Sequence, residues 1–90
     1  MEIYEVKIIE IQKIMPFEKL ATIKIRNPKT GKNIVSPQIA VFSIKNLNLK
    51  EGSIVFVYQS KNYSWKIHYD KLCEFYGVQR IETENYKKLK

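Results

Sequence analysis

Apolar and polar residues alternate along most of the chain, as in β-strands that bury one face. In Tyr4–Ile8 every second residue is apolar, and in Ile9–Lys13 the alternation continues with its phase shifted by one residue. Such a shift turns every later side chain to the other face unless the strand bulges or crosses to a second sheet. We therefore expect a long, bent first strand shared between two sheet faces. Two short strands or a helix are the alternatives, and the near-continuous alternation argues against the helix.

Four more extended segments follow the first strand. The segment NPKTG at Asn27–Gly31 predicts a hairpin turn, because proline presets φ and glycine takes the left-handed position. Pro37 lies inside the third predicted strand and donates no ladder hydrogen bond, so that strand is expected at a sheet edge or with a bulge. Predicted strands two to five span Leu20–Asn27, about Asn33–Ile44, Ile54–Tyr58 and Tyr63–Tyr69.

Helical signals are confined to two short segments. The polar connector Lys45–Gly52 is expected to form at most one helical turn. After the fifth strand, Asp70 predicts an N-cap and Gly77 a stop, which gives a short helix at about 70–77. Its apolar residues Leu72 and Phe75 are expected to pack on an open end of the sheet. A further extended piece is expected at Val78–Ile81.

The length of 90 residues predicts one domain, which we place at 1–82, with 83–90 as a C-terminal tail. Cys73 is the only cysteine, so no intramolecular disulfide forms, and a cytoplasmic location is expected. The N-terminal segment is unlike a signal peptide, and no apolar run reaches the roughly 18–20 residues of a membrane span.

The charge is strongly positive and unevenly distributed. Sixteen basic residues against nine acidic ones give a net charge of +7, with a sequence pI of about 9.5. An A/T-rich genome would also enrich lysine, so the total alone is a weak argument. The distribution is more informative, because residues 19–50 contain seven bases and no acid. A one-signed surface is typical of proteins that bind a polyanion, although a solvated face is the ordinary alternative.

These segments resemble the OB-fold, the oligonucleotide/oligosaccharide-binding fold. IYEVKIIEI is similar to its curved first strand, ATIKIRNPKTGKNIVSPQIAVF to its second hairpin, and LKEGSIVFVYQ to its fourth strand. The expected fold is mostly β, a small five-stranded OB-like barrel with a short C-terminal helix. An SH3-like barrel is the alternative, because the connector before strand four is short for the usual OB helix.

The resemblance implies a nucleic-acid platform on strands two and three, flanked by the loops after strands one and four. Phe17 and Lys19 would lie in one loop and Lys61 in the other. We expect a non-enzymatic protein that binds single-stranded DNA or RNA with little sequence preference, through cations on phosphates and stacked rings. The predicted binding residues are Lys19, Lys24, Arg26, Lys29, Lys32, Lys61, Tyr63 and Lys66.

The aromatic residues differ in how well they suit stacking. Tyr63 is our first choice, because it opens strand five beside the loop that holds Lys61. Trp65 shares a face with Ile67 and Tyr69 and is expected in the core. The facing of Phe42 and of Phe17 is open at this stage.

A second hypothesis is a protein-interaction module that docks on an acidic partner. The exposed third strand, or Tyr76 on the 70–77 helix, would then form the contact. Homodimerisation through an edge strand is a subsidiary possibility. Membrane-surface binding ranks last, since no strongly amphipathic basic helix is visible.

Catalytic and metal chemistry find little support in the sequence. Gly31–Lys32 lacks the flanking residues of a phosphate-binding loop. One histidine, His68, and one cysteine, Cys73, do not make a common zinc site. We expect His68 to be a solvated strand residue and Cys73 to be a small helix residue. A nucleophilic Cys–His pair is the less favoured alternative. We therefore expect no enzymatic activity, no metal and no cofactor.

Overall fold

The alternating segments form six strands in the computed structural model, which describes residues 1–13 and 19–78. Two short helices complete the fold. In chain order the elements are β1 (Tyr4–Lys7), β2 (Glu10–Lys13), β3 (Leu20–Arg26), β4 (Asn33–Ala40), α1 (Val41–Asn46), β5 (Ile54–Gln59), β6 (Trp65–Ile67) and α2 (Tyr69–Tyr76). The prediction of a mostly β protein with a short C-terminal helix is confirmed.

The six strands form two three-stranded antiparallel sheets, with strand orders β1-β5-β6 and β2-β3-β4. The phase shift in the first segment marks the crossing between them. β1 pairs with β5, whereas β2 pairs with β3. Between them Ile8 is buried and donates its backbone N–H to Ser53 O, while the N–H of Ile9 donates to Lys24 O. The first extended segment thus serves both sheets, but as two short strands.

The hairpin of β3 and β4 follows the predicted turn. Gly31 has φ 77°, the left-handed conformation that glycine adopts without steric cost. Pro37 lies on β4, an edge strand of its sheet, where the register with β3 shifts opposite the stretch Thr22–Lys24. Edge position and irregular register both accommodate the missing N–H, as expected for a proline in a strand.

The boundaries of two predicted strands were wrong. The third strand ends at Ala40 and not near Ile44, because α1 begins at Val41. Val41, Ile44 and Leu47 recur at helical spacing and pack against the core, so burial overrides the local alternation. The fifth strand covers only Trp65–Ile67, since the chain turns at Tyr63 with a positive φ.

An apolar cluster lies between the sheets and receives side chains from both. Trp65 is buried in it, as predicted, and Leu72 of α2 is fully buried. The rest of α2 covers the outer face of β5. There the Phe75 and Phe56 rings meet edge to face with centroids 5.3 Å apart, and Phe75 stays half-exposed.

The start of α2 differs from the prediction, and its end agrees with it. His68 caps the helix by accepting the Lys71 backbone N–H at Nδ1, and Asp70 lies in the first turn. Gly77 ends the helix in the left-handed conformation, as predicted. The predicted extended piece 78–81 lies outside the described residues except for Val78, and the tail at 83–90 lies wholly outside them.

Candidate nucleic-acid interface

The outward face of β3 carries the cations that the alternation predicts. Ala21, Ile23 and Ile25 are buried, so Lys24 and Arg26 point away from the core. The charge of Lys24 is compensated by a carboxylate, however. Its Nζ lies 3.5 Å from Glu10 Oε1, because β2 pairs with β3 and places these two residues opposite each other. The acid-free stretch of sequence is therefore partly neutralised in space by an acid from the first segment.

Arg26 lies on the same outward face of β3 as Lys24. It lines a hollow of about 410 Å³ where β1 leaves its sheet, together with Lys7, Ile9 and Pro28. Glu5 is the one acid among the residues lining this hollow. Within residues 1–13 and 19–78, no carboxylate oxygen comes within 4.0 Å of the Arg26 guanidinium.

The β3–β4 turn and the β5–β6 loop lie side by side. Lys29 Nζ donates to Gln59 Oε1 at 2.8 Å, and Gln59 Nε2 donates to the backbone oxygen of Tyr63 at 3.2 Å. Lys32 and Lys61 are exposed on the same turn and loop. The fold thus gathers cations from two distant parts of the sequence, and we call this region the loop end.

Tyr63 is held outward by the hydrogen bonds of its loop. The Ser60 N–H donates to Ser64 O at 2.8 Å, and the Tyr63 N–H donates to Ser60 O at 3.0 Å. The Asn62 side-chain oxygen accepts from the hydroxyls of Ser60 and Ser64. Tyr63 adopts φ 67° and is 79% exposed. A ring exposed to this extent has a face open for stacking.

Beside the loop end runs an open groove of about 390 Å³, which we call the β4–β6 groove. β4 and β6 lie side by side across it. Lys66 is exposed on the β6 side, next to Tyr58 of β5, and no carboxylate of the described residues lies within 4.0 Å of its Nζ. The lining residues are Leu20, Ser36, Gln38, Tyr58, Ser64, Trp65, Lys66, Ile67 and Tyr69.

The predicted binding residues therefore divide into two groups. The loop end and groove bring together Lys29, Lys32, Lys61, Tyr63 and Lys66. Lys24 and Arg26 lie on the outer face of β3, toward the first segment. Lys19 comes just before Leu20, which lines the groove, and Lys19 has an interaction of its own. Phe17 lies outside the described residues, and Phe42 is half-buried in α1.

Ser36, Gln38 and Tyr58 are among the groove residues that the sequence analysis did not predict. The signal for the first two was Pro37, which marks β4 as an edge strand and so predicts exposed neighbours. Tyr58 was visible only as the end of an apolar strand. Its ring lies edge to face with His68, with centroids 5.9 Å apart.

Other chemistry finds no assembled site in the described chain. In residues 1–13 and 19–78, no three His, Cys, Asp or Glu side chains cluster as metal ligands. Cys73 is buried, and His68 is engaged as the helix cap. None of the helices described has the length and apolar character that a membrane crossing requires. Tyr76, offered above as a protein contact, donates its hydroxyl to Ile54 O at 2.7 Å, and burial raises its pKa.

No protein-family model, no curated protein and no solved structure matches this chain.

Proposed function

We propose that the protein is a non-enzymatic binder of single-stranded nucleic acid, with the β4–β6 groove and the loop end as its main contact. The observation that carries this proposal is the convergence of Lys29, Lys61 and Lys66 with the exposed Tyr63 beside an open groove. The net charge of +7 favours a polyanion. Lys24 and Arg26 extend the cationic surface over the outer face of β3.

In this proposal the two sheets are the halves of one partly open OB-like barrel. Three features support it. Only Ile8 and Ile9 separate β1 from β2, so the two strands act as one bent strand. The segment β5 pairs back with β1 and not with β4, which gives a Greek-key order. β4 and β6 lie next to each other at the opening.

Each part of the surface has a distinct chemical role. Lysine ammonium groups neutralise phosphates and release condensed counterions, so affinity falls as salt rises. Tyr63 stacks on a base, which contributes roughly 1–3 kcal/mol and tolerates any base. The groove receives the strand next to the loop end. None of these steps makes or breaks a covalent bond.

The test is fluorescence anisotropy with a labelled single-stranded oligonucleotide over a salt series. The variant Lys61→Glu with Lys66→Glu is expected to bind much more weakly, and each lost phosphate contact lowers the salt slope by roughly 0.7. The matched control is Lys45→Glu with Lys50→Glu, which changes the net charge equally on α1 and on the connector that follows it.

Two results would contradict the proposal. One is absence of binding by the unmodified protein at low salt. The other is an equal loss of affinity in the test and control variants, because binding would then depend on total charge and not on this surface. Circular dichroism of each variant verifies that the fold is retained.

A further inference from the structure

The edge of β4 that faces the groove carries backbone groups directed toward β6. The Val41 N–H donates to Lys19 O at 2.9 Å, so the backbone N–H of Val41 points toward the β3 side. One residue earlier, the Ala40 N–H donates to the hydroxyl oxygen of Tyr69 at 2.9 Å, so it faces away from β3. In an antiparallel ladder this direction alternates from residue to residue.

The same alternation fixes the direction of Gln38. Gln38 is opposite Thr22, and Ala40 is opposite Leu20, so both belong to pairs that do not exchange ladder hydrogen bonds with β3. The N–H and C=O of Gln38 therefore point into the groove. Within the described part of the chain β4 has no ladder partner on this side. An adjacent donor and acceptor are thus presented in an open groove.

Polar side chains surround this backbone pair. Gln38, Ser36 and Ser64 line the groove together with the apolar residues Trp65 and Ile67. Amide and hydroxyl groups both donate and accept hydrogen bonds. A flat, partly apolar ligand with donors and acceptors along one edge matches this lining.

From this geometry we infer that the β4–β6 groove takes the edge of an unpaired nucleobase, hydrogen-bonded to the backbone and side chain of Gln38. The inference rests on the proposed function and adds to it. Binding then depends on base identity as well as on charge. It also discriminates against duplexes, because paired bases have no free Watson–Crick edge to offer.

The test compares oligonucleotides of about 12 nucleotides, the size range that one such domain covers. The probes are dA, dC and dT homopolymers, a duplex, and a dT strand in which difluorotoluene, a nonpolar isostere, replaces thymine. Difluorotoluene keeps the shape and the stacking of the base but loses its hydrogen bonds. The proteins are the unmodified chain, Gln38→Ala and the control Asn33→Ala, an exposed amide on the same strand outside the groove.

We expect the homopolymers to differ in affinity at matched salt, and the isostere strand to bind roughly two- to tenfold more weakly than dT. Gln38→Ala should reduce the differences in affinity between the homopolymers, and Asn33→Ala should leave those differences unchanged. If every single strand, the isostere included, and the duplex bind alike, the inference is wrong and the charge-based function stands. If no probe binds at low salt, the proposed function fails as well.

Discussion

At the residue scale, Lys24 shows how pairing across strands changes the meaning of a charge. Glu18 is the only acid within 13 residues of it on either side in sequence, and Glu10 is 14 residues away. The register of β2 with β3 nevertheless sets Glu10 directly opposite Lys24. Both side chains are partly exposed, so the pair stabilises the fold by at most about 1 kcal/mol. Its larger effect is that Lys24, a cation of the proposed binding surface, is already paired with a carboxylate.

Glu10→Gln should therefore strengthen nucleic-acid binding. The change removes one negative charge and releases Lys24 for a phosphate, so the salt slope should steepen by roughly 0.7 for a single strand. Glu51→Gln is the control, because it makes the same charge change at an exposed turn residue outside the groove and the loop end. Equal effects of the two variants in a salt titration would show that Lys24 takes no part.

A substitution at Tyr63 should change the affinity for nucleic acid without lowering the stability of the fold. Its φ of 67° is unfavourable for a bulky residue and is accepted readily by glycine. Tyr63→Gly should therefore leave the thermal midpoint unchanged or raised, while binding weakens by roughly 1–3 kcal/mol through the lost stacking. Anisotropy and a melting curve on the same sample measure both quantities. Unchanged affinity would remove Tyr63 from the interface.

At the element scale, helix α2 begins where β6 ends and not where the best capping residue stands. The His68 backbone N–H still donates to Phe56 O at 2.8 Å, so the residue completes the sheet and starts the helix at once. Asp70 is the better capping residue by type, but it comes two residues too late. Sequence alone identified the helix and its Gly77 end, because those signals are local.

His68→Ala should lower the free energy of unfolding by about 0.5–2 kcal/mol, since the Lys71 N–H loses its acceptor. His68→Asn supplies a side-chain oxygen at the same position and should restore most of that loss. Chemical denaturation measures all three proteins. If His68→Asn is as destabilised as His68→Ala, the contact with Tyr58 and not the cap is the stabilising feature.

At the scale of the whole molecule, the features that could be predicted from the sequence are those that depend on local residue patterns. The alternation in β3 gave the correct facing of Ala21 and Lys24, and the phase shift before Ile9 marked the crossing between sheets. The β4–β6 groove was not predictable, because it arises where two strands from separate hairpins meet. The start of α1 at Val41 was missed because apolar spacing fitted a strand as well as a helix.

Packing of α2 on β5 predicts an alkaline effect on stability. Burial raises the pKa of Tyr76, so its hydroxyl ionises less readily in the folded than in the unfolded chain. The stability that it contributes is complete at neutral pH and is lost as pH rises beyond about 10, the ordinary tyrosine pKa. Tyr76→Phe should lose about 1 kcal/mol at pH 7 with the bond to Ile54, and its stability should fall less steeply in alkali. Denaturation curves at several pH values compare the two proteins, and parallel losses in alkali would contradict the assignment.

The central claim is that single-stranded nucleic acid binds along the β4–β6 groove and the loop end. Amide NMR spectra during titration with a single-stranded oligonucleotide test this most directly. We predict the largest shift changes at Gln38, Ser64 and Lys66 and in the turn at Lys29, with residues 72–76 of α2, which lie outside the groove, unaffected. Changes confined to the hollow around Lys7 and Arg26, or no changes at low salt, would contradict the account.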